Sequence, residues 1–258
     1  MGRLIYIGDV HGCLEELKEL VEKLQVQKSD KVLLLGDAVD KGPDSKGVLD
    51  FIRKEGYNSL LGNHEIKFLK YRKHLALKKK NPDYIVPVKM AEDQIEAYHS
   101  LSPSDLHWLS KRKMFSYNSK KNIFAVHAGV LPITGNRTIF EQPSSIYFYI
   151  RFVNEDGKMS KNVFNSNRSN SHFPWFEKYN GPHNVVFGHN VFSADKPIVC
   201  ENALGAKTFS LDNGCVQGDK DGNLGHLTAL IVPLTGGRVL EYDFVQVKSK
   251  EIYYKKDH

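Results

Sequence analysis

The first 65 residues repeat one pattern of apolar and polar positions three times. Each repeat starts with a short apolar run, continues through a polar turn that contains glycine, and ends in apolar side chains at helical spacing. The apolar runs are residues 4–7, 32–35 and 59–61, and helices are predicted from Leu14 and from near Ser45. Because strands alternate with helices at this pace, the pattern indicates βαβ units and predicts an α/β protein with an open sheet covered by helices.

The pattern changes after residue 65. Residues 66–121 are basic and helix-prone, from which we expect a helical cap inserted within a single domain spanning residues 1–258. Later strands are predicted in the apolar runs at residues 123–126, 185–187, 209–211, 227–232 and 239–245. Residues 133–182 are rich in Asn, Ser, Pro and Gly, which predicts a long loop region with local aromatic packing.

The composition is that of an ordinary globular protein. With 258 residues, 41% of them apolar and 26% charged, the chain can bury a core without disulfides. No apolar stretch approaches the ~18 residues of a membrane span, and the first residues lack the regions of a signal peptide. Cys13, Cys200 and Cys215 are widely spaced and odd in number, which favours neither a disulfide framework nor a CxxC zinc site. We therefore expect a reducing, cytoplasmic compartment and no membrane partner.

The net charge of +6 is unevenly distributed. Residues 66–121 hold 13 basic and 5 acidic residues, a local charge of +8, so the rest of the chain is slightly acidic. The basic side chains of interest are Lys67, Lys70, Arg72 and Lys73 at mostly helical spacing, followed by Lys78, Lys79 and Lys80. They could form a face that contacts a polyanionic substrate, and an ordinary solvated helix face is the alternative interpretation.

Five predicted strands end in side chains that can bind a metal ion. They are Asp9 and His11, Asp37 and Asp40, Asn63 and His64, His127, and His189. Because ligands gather beyond the carboxyl ends of strands in such sheets, we expect these turns to converge. Imidazole and carboxylate suit divalent Zn, Mn or Fe. The donors exceed the needs of one tetrahedral ion, so a pair of ions that share a bridging carboxylate is the simplest arrangement.

A site with two ions supports hydrolysis of phosphate esters or anhydrides. Ions ~3.5–4 Å apart clamp the attacking and leaving oxygens and lower the pKa of a shared water. The leaving group then needs a proton, and His64, next to Asn63, is placed to donate it. A hydrogen bond from that imidazole to the Asp40 carboxylate would stabilise the charged form of the ring. One Gly-Asp turn or one histidine is usually structural, so the hypothesis depends on five such turns occurring together.

The five turns resemble, in order and spacing, the motifs of the phosphoprotein phosphatase branch of the calcineurin-like metallophosphoesterases. The motifs are Gly8-Asp9-Val10-His11-Gly12, Gly36-Asp37 with Asp40-Lys41-Gly42-Pro43, Gly62-Asn63-His64-Glu65, His127-Ala128-Gly129 and Gly188-His189. The resemblance spans residues 8–190. It implies a four-layer α/β/β/α sandwich, in which a central pair of β-sheets is flanked by helices and carries the basic helical cap.

The resemblance also implies a role for each motif residue. One ion would be held by Asp9, His11 and Asp37, and the second by Asp37, Asn63, His127 and His189. His64, paired with Asp40, would protonate the leaving group. The cofactors would be two divalent metal ions, with Mn²⁺ preferred and Fe, Zn or Co as alternatives, since the same ligands accept all of them.

Two features place the chain within that branch. Lys41 stands where protein Ser/Thr phosphatases carry Arg, and Lys at this position is characteristic of the ApaH-like phosphatases, relatives of the bacterial diadenosine tetraphosphatases. Residues 179–189, 211–216 and 227–230 also resemble that group. Asp40 departs from it, because bacterial tetraphosphatases usually lack this carboxylate and protein phosphatases have it. Since Lys is a mobile point charge and Arg a rigid fork, Lys41 should tolerate more varied phosphate geometries.

A second phosphate-binding side chain is implied before the last histidine motif. Arg151 is the candidate and Arg168 the alternative, and Arg151 could also be an ordinary surface residue.

The leading functional hypothesis is hydrolysis of phosphoanhydrides by attack of a metal-bridging hydroxide. The substrates would be dinucleoside polyphosphates such as diadenosine tetraphosphate, RNA 5′ caps or polyphosphate. The alternative is a phosphoprotein Ser/Thr phosphatase, which uses the same metal centre. A binding module on an inactive phosphatase fold would require missing ligands, and none is missing.

Overall fold

The structure, a computed structural model, describes residues 2–132, 138–160, 171–219, 221–236 and 240–254. The strands in these ranges are β1 (Arg3–Ile7), β2 (Lys31–Leu34), β3 (Asn58–Ser59), β4 (Phe115–Asn118), β5 (Ile123–Val126), β6 (Phe152–Val153), β7 (Phe173–Pro174), β8 (Asn184–Phe187), β9 (Ile198–Glu201), β10 (Lys207–Ser210), β11 (Asp212–Asn213), β12 (His226–Pro233) and β13 (Asp243–Lys248). The α-helices are α1 (Leu14–Leu24), α2 (Ser45–Lys54), α3 (Asn63–Lys80), α4 (Glu92–Ser100), α5 (Pro103–Ser110) and α6 (Ser144–Tyr149), and Trp175–Glu177 form a 3₁₀-helix.

Local sequence signals explain where several helices begin. Asp44 caps α2 by accepting a hydrogen bond from the backbone N–H of Gly47 at 2.7 Å. Helix α5 starts with a capping box, in which the backbone N–H of Ser102 donates to Asp105 and that of Asp105 donates to the Ser102 hydroxyl. These signals lie within four residues of each other, so the sequence alone determines them.

Two mixed sheets form the centre of the fold. The first has the order β11–β12–β1–β2–β3, β13 also pairs with β12, and β1, β2 and β3 are parallel. The second has the order β4–β5–β8–β10–β9, with β5, β8 and β10 parallel. The apolar pattern by itself predicted one open sheet, and in this respect it was wrong. The pair of sheets implied by the family resemblance is confirmed.

The alternation of side chains along β1 explains the layering. Leu4 and Tyr6 face the apolar cluster shared by both sheets, whereas Ile5 and Ile7 face the cluster that contains α1 and α2. A third cluster covers the outer face of the second sheet and contains residues of α6 and the buried ring of Trp175. The layers are therefore helices, sheet, sheet and helices, the α/β/β/α sandwich.

The long loop region predicted for residues 133–182 contains short elements in its described part. Helix α6 and the ladder of β6 with β7 lie within it. The predicted aromatic packing is present, because Trp175, Phe176 and Tyr179 are all buried in one cluster. The strand predicted at residues 239–245 lies a few residues later, as β13, and residue 239 falls outside the described ranges.

Helices α4 and α5 contact α2, and α3 packs against α5. Tyr98 of α4 is buried against two rings of α3, Phe68 at 5.7 Å and Tyr71 at 5.0 Å between ring centroids. The range 66–121 holds most of α3, all of α4 and α5, and also β4, which pairs with β5 in the second sheet. Its description as a cap inserted within a single domain stays a prediction. Among the described residues, no helix is both long and apolar enough to cross a membrane.

Candidate active site

The side chains predicted to bind metal converge at the carboxyl ends of the parallel strands. The turns after β1, β2, β3 and β8 line a pocket of about 200 Å³, and His127, in the turn after β5, contacts the ring of His189 in this lining. Its lining residues are Asp9, His11, Lys41, His64, Arg151, His189, Asn190, Val191, Asp212, Gly214, Cys215, Val216, Gln217 and Tyr254. Strand ends from both sheets therefore contribute to one site, as expected for ligands of an α/β fold.

Backbone strain is concentrated at this edge of the sheets. Five non-glycine residues of the turns have positive φ angles, namely His11 (47°), Asp37 (48°), Asp40 (77°), Lys41 (68°) and His189 (75°). The left-handed region is unfavourable for residues with a Cβ atom and persists where surrounding contacts enforce it. Of these five side chains, those of His11, Lys41 and His189 line the pocket, and those of Asp37 and Asp40 face His64.

The carboxylate of Asp37 lies at the centre of the site. Its Oδ2 atom is 3.5 Å from His11 Nε2, 3.4 Å from His127 Nε2 and 3.8 Å from His64 Nε2. Two groups of donor atoms, each within 4.8 Å of one another, share this carboxylate: His11, Asp37 and His64, and Asp37, His127 and His189. The predicted bridging position of Asp37 agrees with this geometry.

Backbone carbonyls orient two of the imidazoles. His11 Nδ1 lies 3.0 Å from the carbonyl oxygen of Val39, and His127 Nδ1 lies 3.1 Å from that of Leu35. Because a carbonyl only accepts, each Nδ1 must donate. Both Nε2 atoms are therefore turned toward Asp37, an arrangement typical of metal-binding histidines.

His189 carries a buried nitrogen without a partner. Its Nε2 atom has no hydrogen bond within the described part of the chain, and its ring lies 4.9 Å from that of His127. Burial lowers the pKa of His189 well below its ordinary value, so the ring is neutral at neutral pH. A neutral imidazole with a free lone pair, next to Asp37, is the donor that a divalent ion requires.

Asp9 and Asn63 border the two groups of donor atoms. Both carboxylate oxygens of Asp9 lie 3.1 Å from the backbone N–H of His189, and a Cβ atom at Gly188 would collide with this carboxylate. Asn63 Oδ1 lies 3.0 Å from His127 Nε2. Asp9 thus lines the pocket without belonging to either group, and its assignment to the first ion, like that of Asn63 to the second, stays a prediction.

His64 and Asp40 form the expected pair. His64 Nδ1 lies 2.5 Å from Asp40 Oδ2, and His64 Nε2 faces Asp37. Asp40 is fully buried. Burial alone would raise the pKa of Asp40, but hydrogen bonds from His64 and Gln94 outweigh it and lower the pKa. The carboxylate is therefore ionised and can hold the imidazole with Nε2 directed into the site.

Lys41 and Arg151 supply positive charge at the pocket. Lys41 Nζ lies 2.9 Å from His11 Nε2 and 5.8 Å from the centroid of the Tyr254 ring. An ion held by His11 Nε2 and this ammonium contact exclude each other, so Lys41 must turn away from His11 when His11 binds metal. Arg151 lines the same pocket, where burial lowers the pKa of its guanidinium. Arg168 lies outside the described residues.

Glu65 is a site residue to which sequence reasoning gave no role. Its side chain is buried and accepts backbone hydrogen bonds from Asp37 at 2.9 Å, Gly62 at 2.7 Å, Ala38 at 2.8 Å and Val39 at 3.3 Å. The carboxylate thus shapes the turn that presents Asp37. A signal was available, because an acidic residue at the third position of a helix is typical of a capping box.

Asp212 also received no role. It follows β10, just as the motif residues follow their strands, and it is buried in the pocket wall. Burial raises the pKa of Asp9, and the neighbouring charge of Asp212 raises it further. The charge of Asp212 therefore disfavours ionisation of Asp9, on the side of the pocket that also holds Arg151 and His189.

The basic side chains of α3 differ in their exposure to solvent. Lys67 Nζ donates a hydrogen bond to Gln94 Oε1 and is half-buried. Arg72 is half-buried as well, and the exposed members of the group are Lys70, Lys73, Lys78, Lys79 and Lys80. The face available for a polyanion is therefore smaller than the sequence suggested.

Comparison with known proteins places this site in a family context. Residues 2–210 match the family model of the calcineurin-like phosphoesterases. A symmetrical bis(5′-nucleosyl)-tetraphosphatase of Cellvibrio japonicus is 34% identical over 131 residues, 49% of this chain and 45% of that protein. The chain thus spans about half the length of the first curated relatives it matches.

Two further matches extend over more of the chain. A symmetrical bis(5′-nucleosyl)-tetraphosphatase of Aliivibrio fischeri is 26% identical over 83% of this chain and 91% of its own length. The crystal structure of a protein proposed to be a diadenosine tetraphosphatase superposes with a TM-score of 0.69 at 26% identity, covering 96% of this chain and 94% of that chain.

Proposed function

The chain belongs to the calcineurin-like phosphoesterase family, and from this premise we propose that it hydrolyses phosphoanhydrides, with dinucleoside polyphosphates such as diadenosine tetraphosphate as the leading substrates. The proposal rests on the position of Asp37 Oδ2. This atom faces three imidazole nitrogens at 3.4–3.8 Å and belongs to both groups of donor atoms. A carboxylate in that position is suited to bridge two cations. The names of the relatives supply the substrate class.

The family implies divalent metal ions, and the donor set fits them. Asp37, His11, His127 and His189 combine carboxylate with imidazole donors, and the buried His189 Nε2 lacks any other partner in the described residues. Asp9 and Asn63 would complete the two sets. When bound, such ions polarise the scissile phosphate and lower the pKa of water held between them. We propose Mn²⁺ as the ion used.

His64 acts on the leaving group. Asp40 fixes its Nδ1, so the Nε2–H of the charged ring points toward the scissile bond and donates a proton to the departing oxygen. The leaving phosphate therefore departs with less negative charge. The same proton would serve an alkoxide leaving group, which is why this pair by itself does not select between anhydrides and esters.

Substrate binding uses Lys41 and Arg151. Both line the pocket, and each can hold phosphate oxygens that do not react. Hydrolysis at this site therefore suits a substrate with several phosphates in a row. The phosphates of such a chain can contact both Lys41 and Arg151 while one of them lies over the cluster around Asp37.

The Tyr254 ring supports a nucleotide substrate. The backbone N–H of Tyr254 donates to the Val216 carbonyl at 3.0 Å, and the neighbouring Tyr253 hydroxyl donates to buried Glu16 at 2.7 Å. These bonds hold Tyr254 at the pocket wall, within 5.8 Å of Lys41. An aromatic ring next to a phosphate-binding ammonium offers a stacking surface for a nucleobase.

We also propose a role for the exposed lysines at the end of α3. Lys78, Lys79 and Lys80 would contact the distal part of a long polyanion such as capped RNA or polyphosphate.

We propose that the protein acts in the cytoplasm, where nucleotide polyphosphates and reduced cysteines both occur.

The test compares two substrates with one purified protein. The chain, loaded with Mn²⁺, is assayed against diadenosine tetraphosphate and against a phosphoserine peptide, and nucleotide products and released phosphate are quantified by chromatography. We expect faster turnover of the dinucleotide. Much faster turnover of the peptide would reject the proposed substrate class in favour of protein phosphatase activity. A His64→Asn preparation made in parallel reveals any contaminating phosphatase.

A further inference from the structure

Helix α4 reaches the proposed proton donor through one side chain. Gln94 Nε2 donates to Asp40 Oδ2 at 2.6 Å, and the same oxygen accepts the hydrogen bond from His64 Nδ1 at 2.5 Å. On the other side of the amide, Lys67 Nζ donates to Gln94 Oε1. A continuous chain of side chains thus runs from Lys67 through Gln94 and Asp40 to His64. Gln94 is separated from Asp40 by 54 positions.

The orientation of the Gln94 amide is determined by its partners. An ammonium such as that of Lys67 has no acceptor, so the amide oxygen must face it. The backbone N–H of Ala91, 3.3 Å from Gln94 Oε1, is a second donor on that side. An ionised carboxylate such as Asp40 only accepts, so the NH₂ group must face it. The amide oxygen therefore accepts hydrogen bonds from Lys67 and Ala91, and the amide NH₂ group donates one to Asp40.

Packing holds Gln94 in this place. Tyr98 lies one helical turn further along α4 on the same face, and its buried ring contacts Phe68 and Tyr71 of α3. Helix α3 also carries His64 and Lys67. The two helices are thus fixed against each other beside the site, and Gln94 is half-buried between them.

We propose that Gln94 is a positioning residue for the reaction, which fixes the Asp40 carboxylate and thereby holds His64 in the orientation that protonates the leaving group. The inference rests on the phosphohydrolase function proposed above. It gives α4 a role in the chemistry, because among the described residues the hydrogen bonds to Asp40 Oδ2 come from His64 and from this amide. The Asp40 Oδ1 atom is held separately, by the backbone N–H of Lys41 at 2.8 Å.

Three variants separate hydrogen bonding from packing. Gln94→Leu keeps the approximate volume and removes the hydrogen bonds of the amide with Asp40, Lys67 and Ala91. Gln94→Glu keeps the shape but places a carboxylate against Asp40, where a donor is needed. Lys67→Met keeps the length of the side chain and removes the ammonium that orients the amide. Glu96→Leu, at an exposed position of the same helix, is the matched control.

The first readout is the dependence of kcat on the leaving group. Phenyl phosphate needs protonation of its leaving oxygen, whereas p-nitrophenyl phosphate needs much less. We expect Gln94→Leu and Gln94→Glu to lower kcat on phenyl phosphate roughly 10–100-fold, the range for loss of an outer hydrogen-bond partner, and on p-nitrophenyl phosphate less than about threefold. Lys67→Met should lie between these variants and Glu96→Leu. Equal losses on both substrates would overturn the inference.

The second readout does not require activity. The Nδ1–H proton of His64 is followed by NMR of ¹⁵N-histidine-labelled protein and assigned by its loss in His64→Asn. In Gln94→Leu we expect this signal to shift and to exchange faster with solvent, while Glu96→Leu leaves it unchanged. An unaltered signal in a folded Gln94→Leu protein would reject the positioning role. If the parent protein hydrolyses neither monoester, the NMR result alone decides the role of Gln94, and the proposed function is decided separately by the assay with diadenosine tetraphosphate.

Discussion

The His64 imidazole donates to the Asp40 carboxylate through Nδ1 over 2.5 Å, although the two residues are 24 positions apart. Asp40 stands in a left-handed turn after β2, and His64 in the first turn of α3. The pairing therefore depends on two βα junctions meeting at one edge of the sheet. It directs His64 Nε2 toward Asp37 and makes His64 the proton donor of the proposed reaction.

Replacing His64 tests this role directly. We expect His64→Asn to lower kcat by roughly 10²–10⁴, the usual contribution of a positioned acid, because the leaving group then departs unprotonated. Metal content, measured by elemental analysis, should be retained. His99→Asn, an exposed histidine of α4, is the matched control. A His64→Asn enzyme with the parent kcat would exclude His64 as the acid.

Replacing Asp37 tests the metal centre. Asp37→Asn removes the charge shared by both groups of donor atoms, so we expect loss of bound metal after dialysis and loss of activity. The control is Asp83→Asn, at an exposed position. If Asp37→Asn kept both ions and full activity, the assignment of the site would be wrong.

Arg151 is expected to bind substrate phosphate. Arg151→Met keeps most of the side-chain length and removes a charge-assisted hydrogen bond, which should raise KM roughly tenfold or more. Steady-state kinetics on diadenosine tetraphosphate measure the change, with Arg72→Met as the control outside the pocket. The same KM in both variants would mean that Arg151 is structural.

Tyr254 is expected to contact the nucleoside. Base stacking on an aromatic ring contributes about 1–3 kcal/mol, so Tyr254→Ala should raise KM for a dinucleoside polyphosphate roughly 5–150-fold. KM for p-nitrophenyl phosphate should stay unchanged, since that substrate has no base. Tyr254→Phe retains the ring and serves as the control. Equal effects of the Ala variant on both substrates would contradict base stacking.

The lysine run at the end of α3 is expected to affect only long substrates. Replacing Lys78, Lys79 and Lys80 by Ser should raise KM for long-chain polyphosphate and reduce its salt dependence, because three positive charges are removed far from the scissile bond. KM for a small phosphomonoester should not change. The control replaces Lys18, Lys23 and Lys54, also exposed, by Ser. A solvated helix face would give the same result in both triple variants.

The strand-end pattern predicted much of this protein. The first strand and helix agree with β1 and α1 within a residue, and the metal-site side chains after β1, β2, β3, β5 and β8 all reach one region. This success has a local cause. A strand end, a polar turn and a helix start each occupy a few adjacent residues, and parallel strands bring their carboxyl ends to the same edge.

Tertiary structure decided what local patterns do not contain. The apolar pattern of a strand is the same whether the strands form one sheet or two. The division into two sheets therefore depends on side-chain packing across the shared cluster. Glu65 received its role from a buried turn 28 residues away, and Gln94 from an amide contact across 54 positions. The sequence alone determined which side chains could carry the chemistry, because donor type and turn position are local properties. Which of them touch, and which neighbour orients each one, was decided by the fold, because those distances exist only once the helices and both sheets have packed.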